Sequence, residues 1–134
     1  MMTTDNTHAL DNARAWLARI VETYMEWSEA FDASNYDRSD ELERDLCDSA
    51  LSIEVRSEWH TPGMSPDELE AGEYRIGLTW GGPALRIVGT LSSNQPASAC
   101  LQWQDWGTPW TDYPTTTAEA DALLWMAERF YWGD

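Results

Sequence analysis

The residues best placed to do chemistry in this sequence are carboxylates that recur at helical spacing. Glu22, Glu26 and Glu29 follow one another at steps of four and three residues, so they lie on one side of a helix. Three later acids repeat this spacing, and a third group follows in a loop. Because clustered carboxylates attract basic groups, all nine are candidate contacts for a basic partner. The nine residues are Glu22, Glu26, Glu29, Glu41, Asp45, Asp48, Asp67, Glu68 and Glu70.

A second candidate surface is aromatic. Residues 103–113 hold three Trp and one Tyr interleaved with Gln and Asp, a pattern that stacks on sugar rings or receives a partner's Arg. The alternative is that these rings seal the edge of a sheet. Two further Trp, seven residues apart on the last predicted helix and away from its inner side, indicate an interface such as a homodimer. The aromatic candidates are Trp106, Trp110, Tyr113, Trp125 and Trp132.

Motifs for metal or nucleophilic chemistry do not occur in the sequence. His8 and His60 have no His or Cys at ligand spacing, and no calcium or phosphate loop is present. Cys47 lies among acids on a predicted helix, which raises a thiol pKa and weakens the nucleophile, and spacing does not say whether it meets Cys100. The sequence therefore predicts no catalytic residue, no metal and no cofactor. A small enzyme that uses carboxylates stays open as an alternative.

The charge balance restricts the partners. Among 134 residues, 24 Asp and Glu oppose eight cations, all of them Arg, which gives a net charge of −16. A field of this sign repels nucleic acid and anionic membranes, so the sequence predicts neither as a direct partner. Because no apolar run is long enough to span a membrane and no leader pattern opens the sequence, we expect a cytoplasmic protein.

The acids are concentrated in one part of the chain. Residues 22–73 hold 16 Asp and Glu against three Arg, a net charge of −13, whereas residues 74–104 hold two Arg and no acid. Such self-repulsion exceeds what solubility requires, which favours a function, although a solvated face and adaptation to high salt are alternatives. Carboxylates four residues apart rise about 6 Å, against one charge per about 1.7 Å of duplex DNA. One stripe therefore imitates a duplex only in part.

Steps of three and four residues predict two helices before a sheet and one after it. The first covers 9–31, and the second covers 40–50 with Ser39 as its cap. A capping box at Thr116 and Glu119 opens the third, which runs to about 132. The side chains expected to face inward on these helices are Leu10, Ala13, Leu17, Ile20, Tyr24, Trp27, Phe31, Leu42, Leu46, Ala50, Ala120, Leu123, Leu124, Ala127 and Tyr131.

A period of two residues from Leu51 onwards predicts strands. Ile53, Val55, Ser57 and Trp59 form the inner face of the first, and short turns join three more in antiparallel order. The four strands are expected at about 51–59, 73–80, 85–91 and 97–106.

The order of these elements predicts an α+β fold with two N-terminal helices, a four-stranded antiparallel sheet and a C-terminal helix. At 134 residues the chain has the size of a single domain. Its predicted parts are an acidic helical part at 1–50, the sheet at 51–113 and the closing helix at 114–134.

The second half of the chain carries two distinctive motifs, GGPALRIVG at 81–89 and QDWGTPWTDY at 104–113. They resemble a family of small, acidic, uncharacterised proteins of bacterial phages and other mobile elements. The segments SIEVRS at 52–57 and FYWGD at 130–134 also fit, so the resemblance covers about residues 51–134. The resemblance implies a biological context, because small acidic proteins of mobile elements often disarm host defences, as anti-CRISPR and anti-restriction proteins do. It implies no catalytic residues.

Charge and resemblance together predict a non-enzymatic inhibitor. We expect it to bind a basic, nucleic-acid-contacting surface of a host defence complex in the host cytoplasm, as a partial DNA mimic. An aromatic-lined module for a carbohydrate or peptide, centred on Trp106, Trp110 and Tyr113, is the first alternative.

Overall fold

A long helix folded back on a shorter one is the first feature of the fold. The computed structural model describes residues 6–65, 68–80 and 83–133. Helix α1 spans Asn6–Asp32 and helix α2 spans Tyr36–Asp48. Ser34 between them adopts a left-handed φ of 60°, so the chain reverses within three residues and the two helices run antiparallel.

The cap of α2 differs from the predicted one. Ser39 lies inside the helix and is buried, and its hydroxyl donates to the Tyr36 carbonyl. The Asn35 side chain caps the helix instead, by accepting the backbone N–H three residues further on. Asn and Ser are equally good caps, and the turn at Ser34 places Asn35 first. The helix therefore begins about one turn before the predicted start.

The sheet is antiparallel throughout, but the prediction of four strands was wrong. Its strands are β1 Ser52–Ser57, β2 Ala71–Thr79, β3 Ala84–Ser92, β4 Gln95–Pro96, β5 Cys100–Gln104 and β6 Thr111–Asp112. The order β1-β2-β3-β5-β6, with β4 paired to β3, confirms the predicted meander of neighbouring strands. Because β4 and β6 have two residues each, they are too short to show an alternating pattern in the sequence.

β1 is shorter and β2 is longer than predicted, and the pairing between them contains a bulge in β2. Arg56 pairs with Glu73 and Ser57 with Ala71, so Gly72 is the extra residue. A Cβ atom at Gly72 would collide with the Glu58 side chain, so glycine fits this position without a clash. β1 itself runs without interruption.

The last helix confirms the predicted capping box but ends early. Helix α3 spans Thr117–Glu128, and the side chains and backbone N–H groups of Thr116 and Glu119 cap one another. The chain then leaves the helix, so positions beyond it do not follow the helical period. Tyr131, predicted to face inward, is 71% exposed.

Trp125 and Trp132 were predicted to lie on the surface of this helix, and that prediction was wrong. Both are buried, with exposed fractions of 4% and 7%. Trp132 folds back so that its indole N–H donates to the Ala127 carbonyl at 2.8 Å, and its ring packs 4.9 Å from that of Tyr74. Trp125 lies on a buried face of α3 that is wider than the predicted stripe.

The core lies between one face of the sheet and two helices. α1 packs over β3 and β5, α3 packs over β4 and β5, and α2 packs on α1. Leu42 and Leu46 of α2 are buried as predicted, whereas Phe31 at the end of α1 is exposed. Ile53, Val55 and Trp59 are exposed too, against prediction, because β1 is an edge strand and the helices cover strands further inside the sheet.

Candidate partner-binding surface

The two predicted acidic stripes lie side by side on the α1–α2 hairpin. The Arg38 guanidinium contacts Glu26 Oε2 at 3.2 Å on α1 and Glu41 Oε1 at 2.5 Å on α2. One carboxylate from each stripe therefore lies within reach of the same cation. All six stripe residues are exposed. We call residues 22–48 the acidic hairpin.

Each stripe continues away from the turn that joins the helices. Glu22 lies four residues before Glu26, and Asp45 lies four residues after Glu41. Each of these steps rises about 6 Å along its helix. The hairpin holds ten acidic residues against two Arg, a net charge of −8.

The arginines leave most of this charge uncompensated. Within the residues that the structure describes, Arg38 is the one cation that forms an ion pair with the stripe residues. Three other arginines lie over Trp rings instead, with guanidinium-to-centroid distances of 3.9–5.5 Å. These are Arg19 over Trp16, Arg86 over Trp110 and Arg129 over Trp27.

The acidic loop after β1 is a separate feature. Asp67 falls outside the described residues. Glu68 and Glu70 are exposed; the Glu68 carboxylate accepts the Ser65 hydroxyl at 3.1 Å, and the Glu70 carbonyl accepts the Glu58 N–H at 3.3 Å. Over the stretches the structure describes, no hydrogen bond or ion pair joins this loop to the acidic hairpin. The role of its acids in partner binding stays a prediction.

The aromatic candidates of residues 103–113 do not share one environment. Trp106 is 82% exposed on a turn where its backbone N–H donates to the Asp105 carboxylate at 2.8 Å. Trp110 lies under the Arg86 guanidinium, with 3.9 Å between Arg86 Cζ and the centroid of the Trp110 ring. Tyr113 packs half-buried against the core. One ring is therefore open to solvent, and the other two serve contacts within the fold.

Trp125 of α3 packs against the α1 part of the acidic hairpin, a contact that was not predicted from the sequence. Its ring lies 5.1 Å from that of Tyr24 and 5.3 Å from that of Trp27, both on α1. The Arg129 guanidinium lies 5.5 Å from the Trp27 and Trp125 centroids. Because Trp125 and Trp132 are buried, they do not offer the homodimer surface that was expected on α3.

The side of the sheet opposite α1 and α3 forms a second charged surface, which the sequence analysis did not single out. It consists of Glu54, Arg56, Glu73, Arg75, Arg86, Gln102 and Asp112, and we call it the open sheet face. The sequence signal for this face was the set of polar residues that alternate with apolar residues along β1 and β2.

Acids and arginines balance in number on the open sheet face, and four of them form two ion pairs. Arg75 Nε donates to Glu54 Oε1 at 2.7 Å, and Arg56 pairs with Glu73 across the same two strands. The hydrogen bond from Arg75 lowers the pKa of the Glu54 carboxyl. Arg86 is half-buried, which lowers its pKa, and its Nε donates to Gln102 at 2.9 Å. With three acids and three Arg, this face has no net charge.

The cysteines do not offer reactive thiolates. Cys47 and Cys100 are both unpaired thiols. Burial raises the pKa of each to about 11, with further contributions from Glu43 and Asp112 respectively. Among the described residues no group of three His, Cys, Asp or Glu is placed to hold a metal ion, and no helix combines the length and apolarity of a membrane span.

Comparison with known proteins adds no relative, since no family model, curated protein or solved structure matches the chain. Of the acidic hairpin and the open sheet face, only the hairpin carries a net charge.

Proposed function

We propose that this chain is a non-enzymatic inhibitor whose acidic hairpin binds a basic, nucleic-acid-contacting surface of a host defence complex. The observation that supports the proposal is the Arg38 bridge between Glu26 and Glu41, which makes two acidic stripes into one surface. A groove that holds nucleic acid contacts its phosphates through Arg and Lys, and the hairpin offers such a groove carboxylates in place of phosphates.

The hairpin imitates a short stretch of nucleic acid. Along each helix the carboxylates are about 5–6 Å apart, so two stripes approach but do not reach the density of about one charge per 1.7 Å in a duplex. The chain acts by competing for part of a groove, and its high charge raises the rate of encounter.

The setting in a mobile element, of the anti-CRISPR or anti-restriction kind, rests on the resemblance of residues 51–134 to phage proteins. The acidic hairpin lies outside that part of the chain. The charge argument and the resemblance therefore concern different parts of the chain, and the place of action that we propose is the cytoplasm of the host.

The test uses two variants with the same change in net charge. The hairpin variant carries Glu22→Arg, Glu29→Arg and Asp45→Arg, three exposed acids without an ion pair in the described structure. The control variant carries Glu58→Arg, Asp121→Arg and Glu128→Arg, which are exposed acids outside the hairpin. Each replacement of an acid by Arg raises the charge by two, so three replacements change the net charge of each variant from −16 to −10.

Each immobilised protein is exposed to bacterial lysate, and bound proteins are eluted with duplex DNA. We expect wild type and the control variant to retain DNA-binding proteins that the duplex displaces, and the hairpin variant to lose them. Retention should fall as the Debye length decreases from about 10 Å to about 3 Å with added salt. Retention by the hairpin variant equal to wild type, or retention that neither salt nor DNA reverses, would refute the proposal.

The biological arm uses the same three proteins in a bacterial host that carries an active defence system. Expression of wild type or the control variant should let an otherwise restricted phage form plaques, and expression of the hairpin variant should not. Equal plaque formation with all three proteins would show that the hairpin is not the inhibitory surface.

A further inference from the structure

The two edges of the sheet differ in how they are protected. β6, at one edge, has two residues and lies between Pro109 and Pro114, which lack a backbone N–H. β1, at the other edge, has six residues, and neither Gly nor Pro interrupts it. An uninterrupted edge strand presents a row of backbone N–H and C=O groups that another strand can pair with.

β1 also exposes apolar side chains on the face of the sheet that carries the core. Ile53 pairs with Ile76 and Val55 with Tyr74, both of which are buried. Ile53 and Val55 nevertheless have exposed fractions of 43% and 52%. α1 and α3 pack over β3 and its neighbours, about 10 Å away across the sheet.

The sequence of β1 is complementary to itself when it is read backwards. In an antiparallel pair centred on Val55, Glu54 lies opposite Arg56 of the second copy, and Arg56 lies opposite Glu54 of the second copy. Shifting the centre by one residue places two Glu54 or two Arg56 side chains opposite each other. Of these three registers, the one centred on Val55 matches the charges.

The same register continues pairs that already exist. Within one chain Glu54 lies opposite Arg75, and Arg56 lies opposite Glu73. Across two copies the row becomes Arg75, Glu54, Arg56 and Glu73, so charges alternate over four strands, and the two-fold axis repeats the row. The residues that flank β1 match as well, because the same register places Leu51 opposite Trp59 of the second copy. These two side chains are 56% and 104% exposed in the single chain.

We propose that a second copy of this chain pairs with β1 in antiparallel orientation about a two-fold axis at Val55, which joins two sheets into one. Apolar contacts form on the face that carries the helices, and alternating ion pairs form on the open sheet face. The hairpin acids take no part, so dimerisation is independent of the inhibitor function. Because both chains carry −16, the dimer should tighten as salt screens their repulsion, the opposite of binding to a basic partner.

The test places a charge at the axis. Val55→Glu puts two carboxylates opposite each other and Val55→Lys puts two ammonium groups there, so each variant should weaken the dimer by roughly tenfold or more. Mixing the two variants pairs Glu with Lys and should restore a dimer. Sedimentation velocity of the full chain, over a range of protein and salt concentrations, measures the mass in solution. The mass is compared with 15.3 kDa for one chain.

The control is Trp106→Glu, a similar change at an exposed ring outside β1, which should leave the dimer unchanged. Far-ultraviolet circular dichroism and thermal unfolding check that every variant folds, which is expected because Val55 is half exposed. A wild-type chain that stays monomeric in high salt overturns the proposal, including the case in which β1 pairs with a strand of a different protein. A dimer that Val55→Glu and Val55→Lys leave intact overturns the proposed interface.

Discussion

The acidic hairpin and the open sheet face use the same residue types in opposite arrangements. On the open sheet face the register of β1 and β2 sets Glu54 opposite Arg75 and Glu73 opposite Arg56. On the hairpin, acids follow acids at three and four residues, and Arg38 is the one described cation that pairs with the stripes. The first surface is neutral, and the second holds a net charge of −8.

The open sheet face shows that an exposed surface of this fold can be polar without a net charge. The open sheet face stays polar with equal numbers of acids and arginines, so the repulsion on the hairpin is not a general property of the surface. That repulsion acts against folding, and packing beneath the hairpin opposes it. Tyr24 and Trp27 on α1 stack with the buried Trp125 of α3. A surface that costs stability is consistent with selection for binding.

The largest expected effect tests the packing that holds the hairpin. Trp125→Ala should lower the free energy of unfolding by about 3–5 kcal/mol, because it removes a buried ring that contacts two others. Urea unfolding followed by circular dichroism measures the change.

Trp125→Phe is the matched control for that variant. It keeps an aromatic ring and removes an indole Nε1 that is buried without a hydrogen-bond partner in the described structure. Its loss should be clearly smaller than that of Trp125→Ala. Equal losses would contradict the view that ring stacking anchors the hairpin.

An intermediate effect tests repulsion within the stripes. Neutralising the four stripe acids without an ion pair (Glu22→Gln, Glu29→Gln, Asp45→Asn and Asp48→Asn) removes four like-charge neighbours at helical spacing. At low ionic strength the free energy of unfolding should rise by about 1–2 kcal/mol. In about 1 M salt, where the Debye length is about 3 Å, the gain should disappear. Thermal unfolding at several salt concentrations reads both values.

The control for this gain lies on the open sheet face. Glu54→Gln with Glu73→Gln leaves two Arg without their partners, so stability should stay equal or fall slightly at low salt. If this variant also gained stability, the two surfaces would not differ in the way described above.

The smallest effect concerns the bridge itself. Arg38→Gln leaves Glu26 and Glu41 facing each other without a cation, and it should lower the free energy of unfolding by up to about 1 kcal/mol at low salt. Arg75→Gln, which breaks one exposed pair, should cost less. Urea titrations of both variants at two salt concentrations compare them, and an equal cost would contradict the special position of Arg38.

Local patterns predicted the helices and the meander. The capping box at Thr116 and Glu119 and the alternation of β2 and β3 depend on neighbours in the chain, so they appear in the sequence. The strands β4 and β6 were missed because two residues have no period.

The candidate acids were predicted as two stripes from their spacing, and both stripes are exposed. That they form one surface could not be predicted, because the distance between Glu26 and Glu41 depends on how α2 folds back on α1. The burial of Trp132 was missed for a related reason. The predicted helix continued to about residue 132, but α3 ends at Glu128, so the helical period no longer gives the direction of Trp132.

The sequence alone determined the amount of charge, its concentration in residues 22–73 and the side of each helix that carries it, because these depend only on composition and local spacing. Tertiary structure decided which charges meet. The packing of α2 on α1 joined two stripes through Arg38, and the register of β1 on β2 neutralised Glu54 and Glu73. Electrostatic energy depends on distance through space, which the order of residues along a chain does not specify.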